Sequence, residues 1–488
     1  MSHGRLKKIK PGLRNEKGSV LIVALTFAFV FLILFTSMLS LVVNQWTEQK
    51  QHLARAQALQ IAEGGLDYYK WFLAHYPDDY TNKTGTSGPY VIDYEDHEDG
   101  VVGQFSLDIQ GNNQCNQPMS IDIVSTGWSN TDTNMQRTVA GRYARPSISE
   151  YAYIINSNVW AGSDREIYGP YHTNGGVRMD GTNYSSVSSA QTSWSCTSSF
   201  GCSPTQTVDG VFGGGVNSGL WEFPAPNIDF AGITVDLALM KASATTSGLY
   251  FPQVSGGSER LGYHLVFLAD GTLDVYEVTN STLISSYTSE DSSYENRYEV
   301  IASETFLGNY VVPGDCSLIF VEDRVWLEGV VNGKVTLAAA DLINSTYDAD
   351  IILVGNISYT TTNGSDGLTA IAQNDVRIPI NSPNNMTLSG IFVAQNGRFG
   401  RNHYVSSPWN VDVPSGYDSY ILRNSLTITG TIVSNNRVGT QWVSGGGATV
   451  SGYQNRVNAY DVNLADDPPP LTPVVSPDYQ FIRWNEEN

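Results

Sequence analysis

Hydrophobic and polar positions follow three rhythms along the chain, and each predicts a different kind of element. Residues 19–43 (SVLIVALTFAFVFLILFTSMLSLVV) form an apolar run of 25 residues without one charged side chain. About 20 apolar residues rising ~1.5 Å each cross a ~30 Å hydrocarbon core, so the run predicts a membrane span. Behind it the rhythm changes to threes and fours. Leu59, Ala62, Leu66, Tyr69 and Leu73 place an apolar stripe on one helix face. No proline falls between Ser19 and Tyr76, and Pro77 stops the run. One helix over 19–76 is expected, about 58 residues and ~87 Å long. Its expected soft point is Gly64-Gly65, because each Gly costs roughly 1 kcal/mol relative to Ala.

Over 77–145 the rhythm is two. GQFSLDIQ, SIDIVSTGW and MQRTVAGRYA alternate as strands, with turns expected at Gly111-Asn112-Asn113 and at 130–134. They predict a small antiparallel sheet packed on the second half of the helix. Asp93-Tyr94-Glu95-Asp96-His97-Glu98-Asp99-Gly100 is dense in acids but lacks the alternation and final Glu of an EF-hand loop. A solvated acidic loop is expected there in preference to a calcium site.

From Pro146 a third pattern repeats: a short apolar strand, an Asn with a small turn residue, and another apolar strand. It recurs at 172–177 (HTNGGV), 331–335 (VNGKV), 372–376 (AQNDV), 394–399 (AQNGRF) and 433–438 (VSNNRV). Short strands with Asn/Gly corners at uneven intervals predict stacked coils of a parallel β-helix, here over 146–183 and 319–460. The Asn residues are expected in the left-handed backbone region, with coil-to-coil stacking of their side chains as a further option. Residues 184–318 read as an inserted α+β subdomain, with an amphipathic helix over 229–243 carried by Phe230, Ile233, Leu237 and Met240. The Pro-rich tail, 461–488, reads as an extended closing segment. The expected fold class is therefore α+β, mostly β. It comprises a long N-terminal transmembrane and amphipathic helix, a small antiparallel sheet, and a parallel β-helix-like solenoid with its insertion.

Composition changes this picture in two places. Residues 1–18 hold six Lys or Arg against one acid, Glu16, and form a basic leader. The rest holds 21 basic against 47 acidic side chains, which argues against nucleic acid or anionic lipid as an electrostatic partner. The basic flank predicts a cytoplasmic N-terminus, a single pass through the inner membrane and an extracytoplasmic body. Of four cysteines, Cys196 and Cys202 bracket CTSSFGC and make a local disulfide candidate suited to an exported protein. Cys115 and Cys316 are left open, paired or free. No Cys or His set sits at zinc-ligand spacing.

Lys17-Gly18-Ser19 places Gly directly before the apolar run, and Ala62-Glu63-Gly64-Gly65-Leu66 follows the span. Together these resemble the leader and post-anchor segment of type IV pilins and pseudopilins, in particular the PilX-type minor pilins. The resemblance covers about residues 15–76 closely and 78–145 loosely. It implies cleavage by a prepilin peptidase after Gly18 and methylation of Ser19. It also implies association with other pilin-like subunits and the pilus assembly machinery. Most pilins carry Glu at the fifth position after the cut, where it pairs with a neighbour's amine, and here that position is Val23. A minor, terminal or priming role is implied instead of a repeating one, with the head presented for adhesion to a surface protein or glycan.

A β-helix also invites a second reading, a membrane-tethered enzyme acting on polysaccharide, which needs paired carboxylates on one sugar. Candidates on the coils are Asp164, Asp180, Glu322, Asp323 and Asp375, with Arg178, Arg377, Arg398 and Arg401 beside them. They form no recurring constellation, no Gly-x-Ser-x-Gly elbow is present, and no phosphate loop or cofactor motif occurs. No enzymatic activity is expected. A third reading is an anchored surface scaffold that never enters a filament. Trp160, Trp194, Trp221, Trp326, Trp409 and Trp442 are candidates for an adhesive aromatic surface, with core packing the expectation for most.

Overall fold

The computed structural model describes residues 17–487 except 77–78, 99, 116, 234–235, 257, 292, 344–348, 407–411 and 477. Most of the basic leader and Trp409 lie outside the described residues. The chain forms two compact units: residues 1–109, 123–140 and 485–488, and residues 110–122 and 141–484.

In the first unit, helix α1 runs unbroken from Lys17–His75, 59 residues. Its second half buries Ala54, Ala58, Ile61, Ala62, Leu66, Tyr69, Phe72 and Leu73, spaced by three and four. Small residues set the approach. A Cβ on Gly127 would lie 2.4 Å from the Ala62 nitrogen and 2.5 Å from the Ala58 oxygen. The expected soft point is instead a contact. A Cβ on Gly65 would lie 2.2 Å from Ser125 Oγ, and one on Gly64 would lie 2.5 Å from the Tyr94 ring. Packing gained by this approach offsets the backbone entropy of two helical glycines.

A five-stranded sheet holds, in order, Tyr90–Asp96, Gly100–Gln114, Gln117–Ser129, Asp132–Ala144 and Gln480–Glu487. Three expectations change here. The acidic segment is strand as far as Asp96, paired antiparallel with Gly100–Gln114, with Asp93, Glu95 and Asp96 exposed along it instead of gathered in a loop. The turn expected at Gly111-Asn112-Asn113 is strand, with Asn112 Nδ2 donating to Asp122 Oδ2 at 2.9 Å. The tail closes as a strand, and its Pro run hid that ending.

The second unit is built on parallel ladders. One ladder stacks Leu249–Phe251, Leu318–Val321, Lys334–Ala339, Gly367–Ala372, Asn385–Ala394 and Leu422–Ser434. It then continues through Tyr153–Ile155, Tyr171–Thr173, Val187–Ser189 and Trp221–Glu222. A second stacks Gly262–Phe267, Val325–Val331, Ile351–Tyr359, Val376–Arg377 and Phe399–Gly400. A third stacks Leu422–Ser434, Thr449–Ala459, Arg165–Tyr168 and Thr182–Asn183. Stacking order differs from chain order: the coils that come first in sequence join the ladder after the last, with Val433 opposite Ile154.

The chain therefore has to cross from one end of the stack to the other between residues 222 and 249. It does so through two short helices, α2 (Phe230–Ile233) and α3 (Leu237–Ser247). Asp236 caps α3 by accepting from the Leu239 N–H at 3.0 Å. Leu237, Met240 and Ala244 pack with Ile154, Leu318, Phe320, Ile371, Ile391 and Val433, the apolar flank of the first ladder. Within 184–318, then, Val187–Ser189, Trp221–Glu222, Leu249–Phe251 and Gly262–Phe267 are ladder strands. The long antiparallel hairpin Thr272–Ser286 and Glu295–Val311 extends the second ladder.

Candidate functional site

Every described residue from Val20 to Leu53 on α1 is exposed, with Val20 at 69% and Phe31 at 70%. An 18-residue stretch in it has mean hydropathy 2.7, and none of that stretch is buried. The protein has an N-terminal helix long and apolar enough to cross a membrane. Its threonine hydroxyls bond within the helix: Thr26 donates to the Val23 carbonyl at 2.8 Å and Thr36 to the Leu32 carbonyl at 2.9 Å. Such internal pairing is what a hydrocarbon surrounding demands. Gly18 and Ser19 fall in the first turn of α1. Val23 is 52% exposed within the apolar run.

The change at Ala54 follows from side-chain size. Phe and Leu dominate before it, and Ala and Gly let a sheet approach after it. Ser129 Oγ donates to Gln57 Oε1 at 2.9 Å and marks where sheet contact begins. Tyr68 meets Phe105 at 5.8 Å between ring centres. One helix thus carries an anchoring half and a docking half.

The carboxylates singled out from sequence do not converge. Asp164 takes a two-pronged bond from Arg456, at 2.7 and 2.6 Å. Asp180 accepts from Arg178 and from Trp160 Nε1, each at 2.8 Å. Glu322 pairs with Lys241 at 2.5 Å and accepts from the Tyr250 hydroxyl. Asp323 accepts from the Val254 and Arg324 amides, and burial pushes its pKa up to about 6. Besides the Arg178–Asp180 pair, Asp375 lies beside Arg377 and Arg398 and accepts the Arg398 amide at 2.8 Å.

They join a buried network that sequence reading largely missed. Asp350 Oδ2 accepts from Arg377 at 2.7 Å and Arg324 at 3.4 Å, while Asp350 Oδ1 takes Asn374 Nδ2 and the Asp375 amide. Burial pushes the Asp350 pKa up, but Arg377 and Arg324 outweigh it and hold the carboxyl below the usual range. Farther on, Glu299 accepts from Tyr404 at 2.7 Å and Asn402 at 2.9 Å. Arg401 donates to the carbonyls of Ile380, Tyr420 and Ile421. Through Glu299 this network ties the turn end of the hairpin, where Ser286 pairs with Glu295, to the coils. The overlooked signal was Glu299, an acid in the strand-like segment NRYEVI.

The repeat asparagines do stack. Asn174 Nδ2 donates to Asn156 Oδ1 at 2.8 Å, Asn156 Nδ2 to Asn435 Oδ1 at 2.9 Å, and Asn435 Nδ2 to the Asn396 carbonyl at 3.2 Å. None of them takes the left-handed conformation expected from the motif. Non-glycine residues with positive φ, among those described, are Asn82, Lys83, Cys115, Asn217 and Leu471. In Val331-Asn332-Gly333 the handed corner falls on Gly333, φ +82. Glycine has no Cβ to oppose that turn, which frees Asn for side-chain bonding.

Cys196 is bonded to Cys202, and Cys115 to Cys316 across 201 residues. Arg178 and Arg437 hold the short disulfide loop by donating to the carbonyls of Phe200 and Ser199. Of the tryptophans proposed as an adhesive surface, Trp326 and Trp194 are buried. The Trp160, Trp221 and Trp442 indoles donate to Asp180, Asn183 and the Arg401 carbonyl. The exposed tryptophans, among the described residues, are Trp46, Trp71 and Trp484.

No protein-family model and no curated protein matches the chain. Among solved structures, it is similar to the crystal structure of the competence-associated pilin ComZ from Thermus thermophilus. Identity is 14% and the TM-score 0.30, over 89% of this chain and 97% of that one. A likeness of that degree fixes neither fold nor function.

Proposed function

We propose that the chain is a minor pilin-like surface protein, held in the inner membrane with its N-terminus cytoplasmic, that acts in assembly or at the tip of a type IV pilus-like or pseudopilus-like system. One observation carries this reading: a single helix whose exposed apolar half follows Gly18-Ser19 and whose second half docks into a sheet through Ala and Gly. Prepilin peptidase cuts after Gly18, and the span then stands among lipid or among neighbouring pilin-like helices. The parallel ladders wind as a β-helix and make the presented head, which meets a surface protein or glycan.

A terminal position is favoured on two grounds. The head of roughly 410 residues is too large to stand beside identical heads at each filament step. Val23 also lacks the charge that would pair with a neighbour's amine. Immunogold labelling should place the protein at filament ends or at the cell envelope. Even decoration along filaments would overturn the tip assignment. The polysaccharide-enzyme alternative draws no support from carboxylates that are each engaged in internal bonds.

A further inference from the structure

We propose that His264 is a proton-operated clamp that ties the outer hairpin strand Glu295–Val311 to the ladder strand Val325–Val331. His264 lies on Gly262–Phe267, between Val325–Val331 on one side and Thr272–Ser286 on the other. Its Nδ1 is 2.9 Å from Glu304 Oε2 and its Nε2 is 3.2 Å from Glu328 Oε1. Glu304 belongs to the outer strand, so the imidazole reaches past the intervening strand, where the Tyr276 ring stacks on it at 5.5 Å. Gly355 makes room for the inner carboxylate, since a Cβ there would lie 1.9 Å from Glu328 Oε2.

The chemistry allows one protonation state to satisfy both bonds. A neutral imidazole carries one N–H and turns a lone pair toward the second carboxylate, whereas the imidazolium donates to both. The groups facing the ring are Glu304, Glu328 and the Tyr276 ring; among the described residues neither carboxylate has another cationic partner. Burial opposes the charge, but Glu328 and Glu304 together raise the pKa above the ordinary histidine value. The contribution is therefore complete below about pH 6.5 and is lost as pH rises through the folded-state value. Once it is lost, residues 302–307, all exposed, are held through a pairing with register shifts between Val275 and Leu283.

The test is hydrogen–deuterium exchange of the full chain in detergent micelles at about pH 5.5 and 8.5, corrected for intrinsic exchange. Peptides over 295–311 should open several-fold more at the higher pH, because loss of the proton removes one of the two donated bonds. The strand at 367–372 should not respond. His264→Gln should abolish the difference, and so should Glu304→Gln, whose side chain is already 31% exposed and whose loss spares the fold. Equal wild-type opening at both pH values would overturn the clamp, as would an undiminished response in Glu304→Gln. The Glu304→Gln response decides between these outcomes even if His264→Gln does not fold.

Discussion

The two units hold their elements in place by opposite means. In the first, α1 meets its sheet through Ala58 and Ala62, whose backbone leaves no room for a Cβ on Gly127, and through Gly65, where a Cβ would meet Ser125 and Phe105. In the second, parallel ladders are locked from outside by Asp350, Arg324, Arg377, Glu299 and Arg401, groups almost wholly withdrawn from water. The first arrangement should tolerate changes of pH and salt but no added volume. The second should tolerate modest changes of shape but no loss of a charged partner.

Perturbations sharpen that contrast. The largest effect should come from Asp350→Ala, which leaves Arg324 and Arg377 buried without their shared partner and costs about 3–5 kcal/mol in chemical denaturation. Next is Gly127→Val, whose Cβ meets the backbone of α1; a loss of about 3 kcal/mol is expected, seen as faster exchange over residues 54–75 and unchanged by salt. Asp323→Asn should be smaller, a gain of about 1–2 kcal/mol above pH 6, where the buried wild-type carboxylate is ionised, and visible as pH dependence. Its folded pKa lies above the unfolded value, so its contribution is present below about pH 4 and declines as pH rises through 6. The Asn variant should flatten that part of the melting profile. Smallest is Phe31→Ala, which should leave head stability within about 0.5 kcal/mol while weakening membrane retention. Comparable melting losses from Phe31→Ala and Gly127→Val would erase the distinction between the two halves of α1.

Local pattern made some of this legible. The apolar run and the three-four stripe predict α1 nearly to its ends, since both signals lie within one element. Strand period two likewise marks GQFSLDIQ and SIDIVSTGW. Pairing partners far apart in sequence leave no such trace: nothing in YIIN announces that Ile154 stacks on Val433, 279 residues away. The crossing at 222–249 was hidden for the same reason, although the apolar face of Leu237 and Met240 was plain. Asn at each corner suggested backbone handedness, yet none is left-handed, and at Asn332 the handed turn falls on Gly333. The polar lock was hardest to see, because a buried Asp and a surface Asp read alike until their partners are placed.

The anchor remains central, and its processing is the most direct test. Mass spectrometry of the N-terminal peptide from the mature, membrane-extracted protein should find a chain beginning at Ser19 with a methylated amine. A chain beginning at Met1, or cut elsewhere, would contradict the pilin-like reading and leave a simple membrane anchor in its place.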